Sequence, residues 1–269
     1  MDNRKEEERR FHDQLRSGAL GQRWSPELEQ LIRRDSSWSN MKYYAVERKS
    51  RKIALDWLAR HCQNRRVLDY CCGNGEDSFA IAKDGAEEVI GIDLSEVSIQ
   101  NCRERAVALG LEKKAIFRVM DAEALEFEEN SLDVITEYGA LHHLNLSKAY
   151  SEMARVLKSD GQCICTEALG HNPIIHYYRK RTPQLRTDWE VDHILRKADI
   201  EKAYTYFTSV HILGFFHLAT LAAVPFRNVP GFPFILSSLE MLDALLLKLP
   251  GIKWQAWQIV FVLSRPRGK

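Results

Sequence analysis

The sequence predicts an α/β fold built on a mainly parallel sheet, and two observations predict it. Between Val67 and Thr166, short β-like runs alternate with helical patterns at the length of βαβ units. This alternation requires parallel strands joined by right-handed crossovers. In addition, the glycine-containing turn CCGNG at residues 71–75 connects the first of these strands to the helix that follows it.

Composition limits the class of protein. With 269 residues and 45% hydrophobic content, the chain is long enough for one sizeable core or a core with an added cap. The net charge of +1 lacks the basic excess of a nucleic-acid-binding domain, so no nucleic-acid partner is expected. The six cysteines lack CxxC spacing, which favours buried reduced thiols over a metal or disulfide framework. The N-terminus has no apolar signal core, so we expect a cytoplasmic protein.

The turn at residues 71–75 is the first candidate binding element. Gly73 and Gly75 allow a ligand to approach the backbone, and the helix beyond them presents unpaired N–H groups. Ser78 stands where a dinucleotide fingerprint has its third glycine, and the Lys-Ser/Thr ending of a phosphate-binding loop is absent. Pyrophosphate is therefore disfavoured. A turn that serves packing alone remains an alternative.

Acidic residues follow successive predicted strands: Asp69, Asp93, Asp121 and Glu137. Ligands of open α/β sheets bind beyond the carboxyl ends of the strands, so these side chains are expected to converge in one crevice. Such a group of carboxylates suits a ligand that carries hydroxyls, a primary amine and a sulfonium cation. The alternative is that they are solvated loop residues.

Five segments carry a family resemblance. In chain order they are VLDYCCGNGEDS, VIGIDLS, VMDAEAL, LDVITEYGALHHL and LKSDGQCICTEAL. They are similar to the motifs of class I S-adenosylmethionine (SAM)-dependent methyltransferases, in particular the ubiquinone/menaquinone-like group. The resemblance implies a Rossmann-like, seven-stranded sheet with helices on both faces and an antiparallel last strand. It also implies SAM as cofactor and S-adenosylhomocysteine (SAH) as product. Cys71 departs from the family, which usually has its first glycine there.

The resemblance also implies roles for individual residues. Asp93 is expected to accept hydrogen bonds from the ribose hydroxyls, and Asp121 with Ala122 to meet the adenine. Gly73, Gly75 and the backbone of Glu137 are expected to meet the methionine part. The remaining residues assigned to the cofactor site are Asp69, Cys71 and Leu94. Tyr43 and Tyr44 are expected to close over the cofactor as a lid or, alternatively, to lie in the core.

The methyl-transfer step needs a base only when the nucleophile must lose a proton, because alignment of donor and nucleophile supplies much of the rate. The catalytic candidates are His142, His143 and Glu167. Adjacent histidines point in different directions, so at most one of the pair is expected to reach substrate. The fourth-strand segment lacks the Asn/Asp-Pro-Pro-aromatic and Pro-Cys patterns of nucleic-acid methyltransferases. A lipophilic small molecule is therefore the expected substrate.

The chain divides into four predicted parts. Residues 1–45 form a helical lid or oligomerisation segment, 46–214 the SAM-binding core, 215–251 an apolar cap insert, and 252–269 the last strand and tail. Strands are expected at 204–213 and 257–263. The insert carries an apolar stripe that is expected to line the substrate pocket, and docking on a bilayer or on a second subunit are the alternatives. The stripe consists of Leu239, Leu242, Leu245, Leu246 and Leu249.

Two charged segments leave further alternatives open. Residues 2–16 alternate acidic and basic residues, which predicts a solvated helix or one that docks on the core or on a second copy in a homo-oligomer. Ser25 and Pro26 predict another helix start. The aromatic and basic stretch 177–181, with Arg186, predicts a solvated helix or, as the alternative, a clamp for a carboxylate or phosphate. The rival functions are a methyltransferase for a lipid-linked or phosphorylated head group at a membrane surface, and a SAM-binding scaffold without turnover.

Overall fold

The computed structural model describes residues 3–17, 40–182 and 187–268. The helix start predicted at Ser25 and Pro26 and the clamp residue Arg186 lie outside these residues. One seven-stranded sheet has the strand order β3-β2-β1-β4-β5-β7-β6. Its strands are β1 (Arg66–Tyr70), β2 (Glu88–Asp93), β3 (Ala115–Val119), β4 (Leu132–Tyr138), β5 (Leu157–Ala168), β6 (Phe207–Phe216) and β7 (Gln258–Pro266).

Nine α-helices accompany the sheet in the described part of the chain. They are α1 (Asn3–Ser17), α2 (Arg48–His61), α3 (Glu76–Lys83), α4 (Glu96–Ala108), α5 (Leu146–Val156), α6 (Pro173–Arg181), α7 (Asp188–His193), α8 (Lys197–Glu201) and α9 (Phe232–Leu246). Short 3-10 turns lie at Asn40–Ala45, Leu141–His143, Lys202–Thr205, Ala219–Phe226 and Lys253–Gln255. None of the helices described is both long enough and apolar enough to cross a bilayer.

The sheet confirms the predicted fold class. Strands β3, β2, β1, β4 and β5 are parallel, and β7 inserts between β5 and β6 and is antiparallel to both. The sixth strand begins at Phe207 rather than Tyr204 because a 3-10 turn at Lys202–Thr205 follows α8. The last strand, Gln258–Pro266, extends beyond the predicted end at Leu263 because it stays paired with β6 up to Phe207.

Local sequence fixes several helix starts. The Ser95 side chain accepts a hydrogen bond from the Ser98 amide at 3.0 Å and caps α4. Asn145 caps α5, and Asn172 caps α6 with Pro173 at its first position. These caps set where each helix leaves the carboxyl end of the sheet.

Core residues cover both faces of the sheet. Alternation along β1 places Val67 in the cluster with Trp57 and Phe79, and Leu68 in the cluster with Tyr150 and Phe261. All six cysteines are free thiols, and the Sγ atoms of Cys163 and Cys165 lie 3.5 Å apart on one face of β5. The two-sided core explains why the central strands are apolar nearly throughout.

The insert between β6 and β7 has its own small core. Val46, Ala223, Val224 and Leu236 are buried together beneath α9. On α9 itself, the buried carboxylate of Asp243 accepts hydrogen bonds from the backbone amides of residues 218–220, at 2.6–3.2 Å. This carboxylate therefore fixes the helix to the turn that follows β6.

A buried histidine anchors the same turn. His217 has a φ of 65°, and its Nε2 lies 2.8 Å from the hydroxyl of Ser50, which in turn donates to Gln258 at 2.7 Å. Burial lowers the pKa of His217 to about 4, against a weaker opposing effect of the Glu240 carboxylate. Between about pH 4 and 6.5 the folded protein therefore holds this imidazole neutral, whereas the unfolded chain protonates it.

We predict that His217 makes stability depend on pH between about 4 and 6.5. The folded pKa is lower than the unfolded value of about 6.5, so the contribution is complete above pH 6.5 and is lost as pH falls toward 4. At pH 5 the loss is about 2 kcal/mol. Urea unfolding of the wild type and His217→Gln at pH 7 and pH 5 measures it. The exposed His211→Gln is the control, and an equal pH effect in wild type and His217→Gln contradicts the assignment.

Candidate active site

Two buried carboxylates shape the turn after β1. Asp69, the fourth residue of β1, accepts hydrogen bonds from the Ser78 amide and hydroxyl at 2.9 and 2.5 Å. Asp93, at the end of β2, accepts from the amides of Gly73 and Ser95, both at 2.9 Å. Burial, together with the nearby charge of Asp77, raises the pKa of Asp69 to about 7. Both acids thus bind the loops on which the site is built.

The turn requires left-handed backbone at three positions. Cys71, Gly73 and Gly75 have φ values of 58°, 54° and 76°. A Cβ on Gly75 would lie 3.0–3.1 Å from side-chain atoms of Phe79, Cys102 and Phe117, so this position requires glycine for space as well as for its angle. At Cys71 the same conformation costs about 1–2 kcal/mol for a residue with a side chain. The departure from the family motif therefore keeps the backbone conformation that glycine would adopt.

A second pair of buried carboxylates lies at the ends of β4 and β5. Glu137 accepts from the amides of Ala140 and Leu141 at 2.5 and 3.2 Å. Glu167 accepts from the Leu141 amide at 2.6 Å and lies 2.7 Å from Nδ1 of His142. The 3-10 turn at Leu141–His143 is therefore held from below by two acidic side chains.

The close contact between Glu167 and His142 decides their protonation. Burial alone would disfavour both charges, but the ion pair outweighs it: the pKa of His142 is raised and that of Glu167 is lowered. Burial and the neighbouring charge of Glu167 raise the pKa of Glu137 well above its ordinary value. The site therefore holds one ionised carboxylate paired with an imidazole, beside a carboxyl group that retains its proton.

A cavity of about 790 Å³ lies beyond the carboxyl ends of the strands. That volume is in the upper part of the range for ligand pockets. Its walls run from the ends of β2 and β3, past the turn after β1, to the ends of β4, β5 and the start of β7. The apolar part of the wall includes Leu144, Ile174, Ile175, Ile194, Leu221 and Trp257.

Helix α1 forms one wall of this cavity through charged contacts. Lys5 Nζ lies 2.6 Å from Asp121 Oδ2 and 3.0 Å from Glu123 Oε2, and Arg4 pairs with the same Glu123. Glu8 Oε2 lies 3.0 Å from Nδ1 of His143. Of the sequence alternatives for this helix, the described structure shows docking on the core.

Comparison with known proteins identifies the family. Residues 61–209, more than half of the chain, match the profile of the family described as Methyltransferase domain. The chain belongs to this methyltransferase domain family. It is 32% identical over 124 residues to a demethylmenaquinone methyltransferase of Bacteroides fragilis, which is 45% of this chain and 50% of that protein. It is also 32% identical over 98 residues, 36% of each chain, to 27-O-demethylrifamycin SV methyltransferase of Amycolatopsis mediterranei.

The chain spans about half the length of the curated relatives that it matches. Among solved structures, geranyl diphosphate C-methyltransferase from Streptomyces coelicolor matches 98% of both chains with a TM-score of 0.62 and 15% identity. Phosphoethanolamine N-methyltransferase 2 of Haemonchus contortus gives a TM-score of 0.59 at 18% identity, over 88% of this chain and 59% of that one. These similarities show that the methyltransferase domain shares its fold with both enzymes.

The structure of this methyltransferase domain separates the sequence-predicted residues into two groups. Those that line the cavity are Tyr43, Tyr44, Cys71, Asp93, Leu94, Asp121, Ala122, His142 and His143. Those that do not are Asp69, Gly73, Gly75, Glu137 and Glu167, which bind or shape the loops behind its wall. None of the five leucines of the predicted stripe lines it, and Leu221 is the insert residue that does.

Sequence reasoning missed several wall residues of the methyltransferase domain. On α1 they include Arg4, Lys5, Glu8 and His12, and beyond the motifs they include Glu190 and Trp257. The partners of Arg4 and Lys5 stand 119 and 116 residues further along the chain. No local pattern could have revealed such pairs. Phe11, an apolar residue in a charged helix, was the one available indication, and it lines the cavity.

Proposed function

We propose that the protein transfers the methyl group of SAM to an O, N or C nucleophile of a lipophilic small molecule. One observation carries the proposal. A single cavity is lined by Asp93 and Asp121 after β2 and β3, and by His142, Leu221 and Trp257 beside β4 and β7. Since β3 and β7 lie on opposite sides of β1 in the sheet, the cavity has room for donor and acceptor side by side.

The donor side fits the cofactor through its carboxylates. Asp93 lines the cavity while its oxygens accept the amides of Gly73 and Ser95, and a carboxylate can accept several hydrogen bonds, which suits binding of ribose hydroxyls. Asp121 Oδ1 accepts from the Glu123 amide, and Oδ2 is bound by Lys5. Recognition of the adenine amine by Asp121 therefore requires Lys5 to share this oxygen or to release it.

The acceptor side favours an apolar molecule with one reactive polar group. Its walls combine Ile174, Ile175, Leu221 and Trp257 with the imidazole of His142. The names of two similar proteins point the same way, since one acts on a demethylmenaquinone and the other on a demethylrifamycin. The proposal of a lipophilic acceptor rests on these two names together with the apolar side chains and the imidazole of His142 on this side of the cavity.

His142 is the residue that we assign to proton removal. Its Nδ1 is bound to Glu167, which leaves Nε2 to take a proton from the acceptor. In the proposed step the electron pair of the nucleophile forms a bond to the methyl carbon while the C–S bond breaks. The electron pair of the C–S bond stays on sulfur, which gives SAH. The acceptor proton moves to Nε2, and the ionised Glu167 stabilises the resulting imidazolium.

A second candidate function rests on Arg179. This guanidinium is buried, lines the cavity and donates to the Leu169 carbonyl at 3.2 Å. It could pair with a phosphate on the acceptor. The two structural neighbours named above act, by their names, on a prenyl diphosphate and on a phosphorylated amine. Arg181, from the same predicted clamp, instead lies over the exposed Tyr177 ring.

For the donor site, we expect Asp93→Ala to weaken SAH binding by tenfold or more, because the carboxylate meets the ribose and also holds the glycine turn. In the wild type, SAM and SAH, but not NAD, should raise the unfolding midpoint by several degrees at about a hundred times their dissociation constant. Thermal shift and calorimetric titration measure both effects. The exposed Asp84→Asn is the control, and unchanged SAH affinity in folded Asp93→Ala would remove the cofactor assignment.

For the base, we expect His142→Gln to slow methyl transfer about 10²–10⁴-fold while SAH binding persists. In the pH profile of kcat/KM, the rise that reports deprotonation of His142 should lie above pH 6.5, because the pKa of His142 is raised and the base must be neutral. Glu167→Gln removes the charge that raises this pKa and should move this rise to lower pH. Labelled-methyl transfer to demethylmenaquinol and to phenolic polyketides provides the assay. SAH binding without transfer to any acceptor would favour the non-catalytic scaffold. A pH profile of kcat/KM that does not shift in Glu167→Gln would exclude His142 as the base.

For the second candidate, we expect the SAH-bound protein to bind geranyl diphosphate at least about tenfold more tightly than geraniol, since hydrogen bonds to a charged group contribute about 1.5–3 kcal/mol. Arg179→Met should abolish this difference, whereas Arg181→Met should keep it. Calorimetric titration of both ligands measures it. Equal binding of the diphosphate and the alcohol by the wild type would reject the phosphorylated acceptor.

A further inference from the structure

The outward face of α9 carries an apolar stripe that exposed Ser237 and Ser238 interrupt after Phe234. Phe234, Met241 and Leu245 are 78%, 73% and 66% exposed, and Leu242 and Leu249 are 42% and 49% exposed. Their spacing of three, four and seven residues places all five on one side of the helix and its C-terminal extension. We call these five residues the outer stripe.

The outer stripe is separate from the face by which α9 holds to the protein. Leu236 is buried against Val46, Ala223 and Val224, and Leu239 packs on the same cluster. The helix is thus apolar on two sides, and only the inner side serves the core. Exposed apolar area of this kind marks an interaction surface.

The charges around the stripe indicate what covers it. Both acidic residues of α9 are neutralised: Glu240 binds the guanidinium of Arg48 at 2.5 and 2.8 Å, and Asp243 is buried on backbone amides. Lys248, between Leu245 and Leu249, is exposed, and Lys49 beside Glu240 is 58% exposed in its side chain. The stripe is therefore apolar, with the cation of Lys248 beside it and with both carboxylates of α9 bound to other groups.

We propose that the outer stripe docks the protein on the surface of an anionic phospholipid bilayer, with α9 lying in the plane of the interface. Apolar side chains flanked by lysines bind such surfaces by combining burial with attraction to anionic head groups. The docking adds to the proposed methyl transfer and does not require it.

The test is co-sedimentation with vesicles of phosphatidylcholine alone and with phosphatidylglycerol added at one part in three. We expect binding to the mixed vesicles that weakens as salt rises, because surface charge is screened. Phe234→Ser combined with Leu245→Ser should lower the partition coefficient by at least about tenfold, since both substitutions remove large apolar side chains that would be buried in the bilayer interface. Lys248→Glu should weaken binding to the mixed vesicles only.

Val107→Ser is the matched control, because Val107 is 67% exposed on α4, a helix remote from α9 in the sheet order. Unfolding midpoints with and without SAH establish that each variant is folded and separate this test from that of the methyl-transfer proposal. Absence of wild-type binding, or an equal loss in Val107→Ser, overturns the proposal. So does a dimer in sedimentation velocity that the double variant converts to monomer, which would place a second copy on the stripe.

Discussion

The site depends on one repeated interaction, in which a carboxylate at the end of a strand binds the backbone amides of a loop beyond the sheet. Asp69, Asp93, Glu137 and Glu167 do this on β1, β2, β4 and β5, and all four are buried. A buried carboxylate is costly unless it is hydrogen-bonded, so each acid and its loop determine one another's position. The four acids hold three loops, those after β1, β2 and β4, and these loops form one side of the cavity.

The same interaction explains why the sequence could locate the site better than it could assign its members. The order of acids after strands predicted the crevice, and the structure brings Asp93 and Asp121 to its wall. Whether an acid faces the ligand or the loop depends on the backbone path after the strand. Asp69 turns to Ser78, and Glu137 turns to Ala140, so neither lines the cavity. Strand periodicity gives no information about that path.

Hydrophobic patterns had a similar limit. They predicted the β strands to within a few residues, because strands that are buried on both faces leave short, nearly continuous apolar runs in the sequence. They also predicted that five leucines of the insert form one stripe on the substrate pocket, which is wrong: Leu239 packs on the inner cluster, whereas Leu242 and Leu245 face outward. They could not tell what each face of the helix contacts, and the residues that seal the insert are instead Leu236 and Val224. Periodicity identifies neighbours on one element but not the partner element.

The elements that close the cavity differ in how they are attached. The insert is joined by a buried apolar cluster and by Asp243, whose contacts exclude water. Helix α1 is joined mainly by ion pairs, with Lys5 on Asp121 and Arg4 on Glu123, and the side chain of Asp121 is 31% exposed. The side chain of Glu123 is only 1% exposed, so its pairs with Arg4 and Lys5 are buried and costly to break. The contact of Lys5 with Asp121 is the one of these that water can reach. Since Lys5 also binds the Asp121 oxygen assigned to the adenine amine, the cofactor and Lys5 compete for that oxygen, and cofactor binding acts on this part-exposed contact of α1 rather than on the insert.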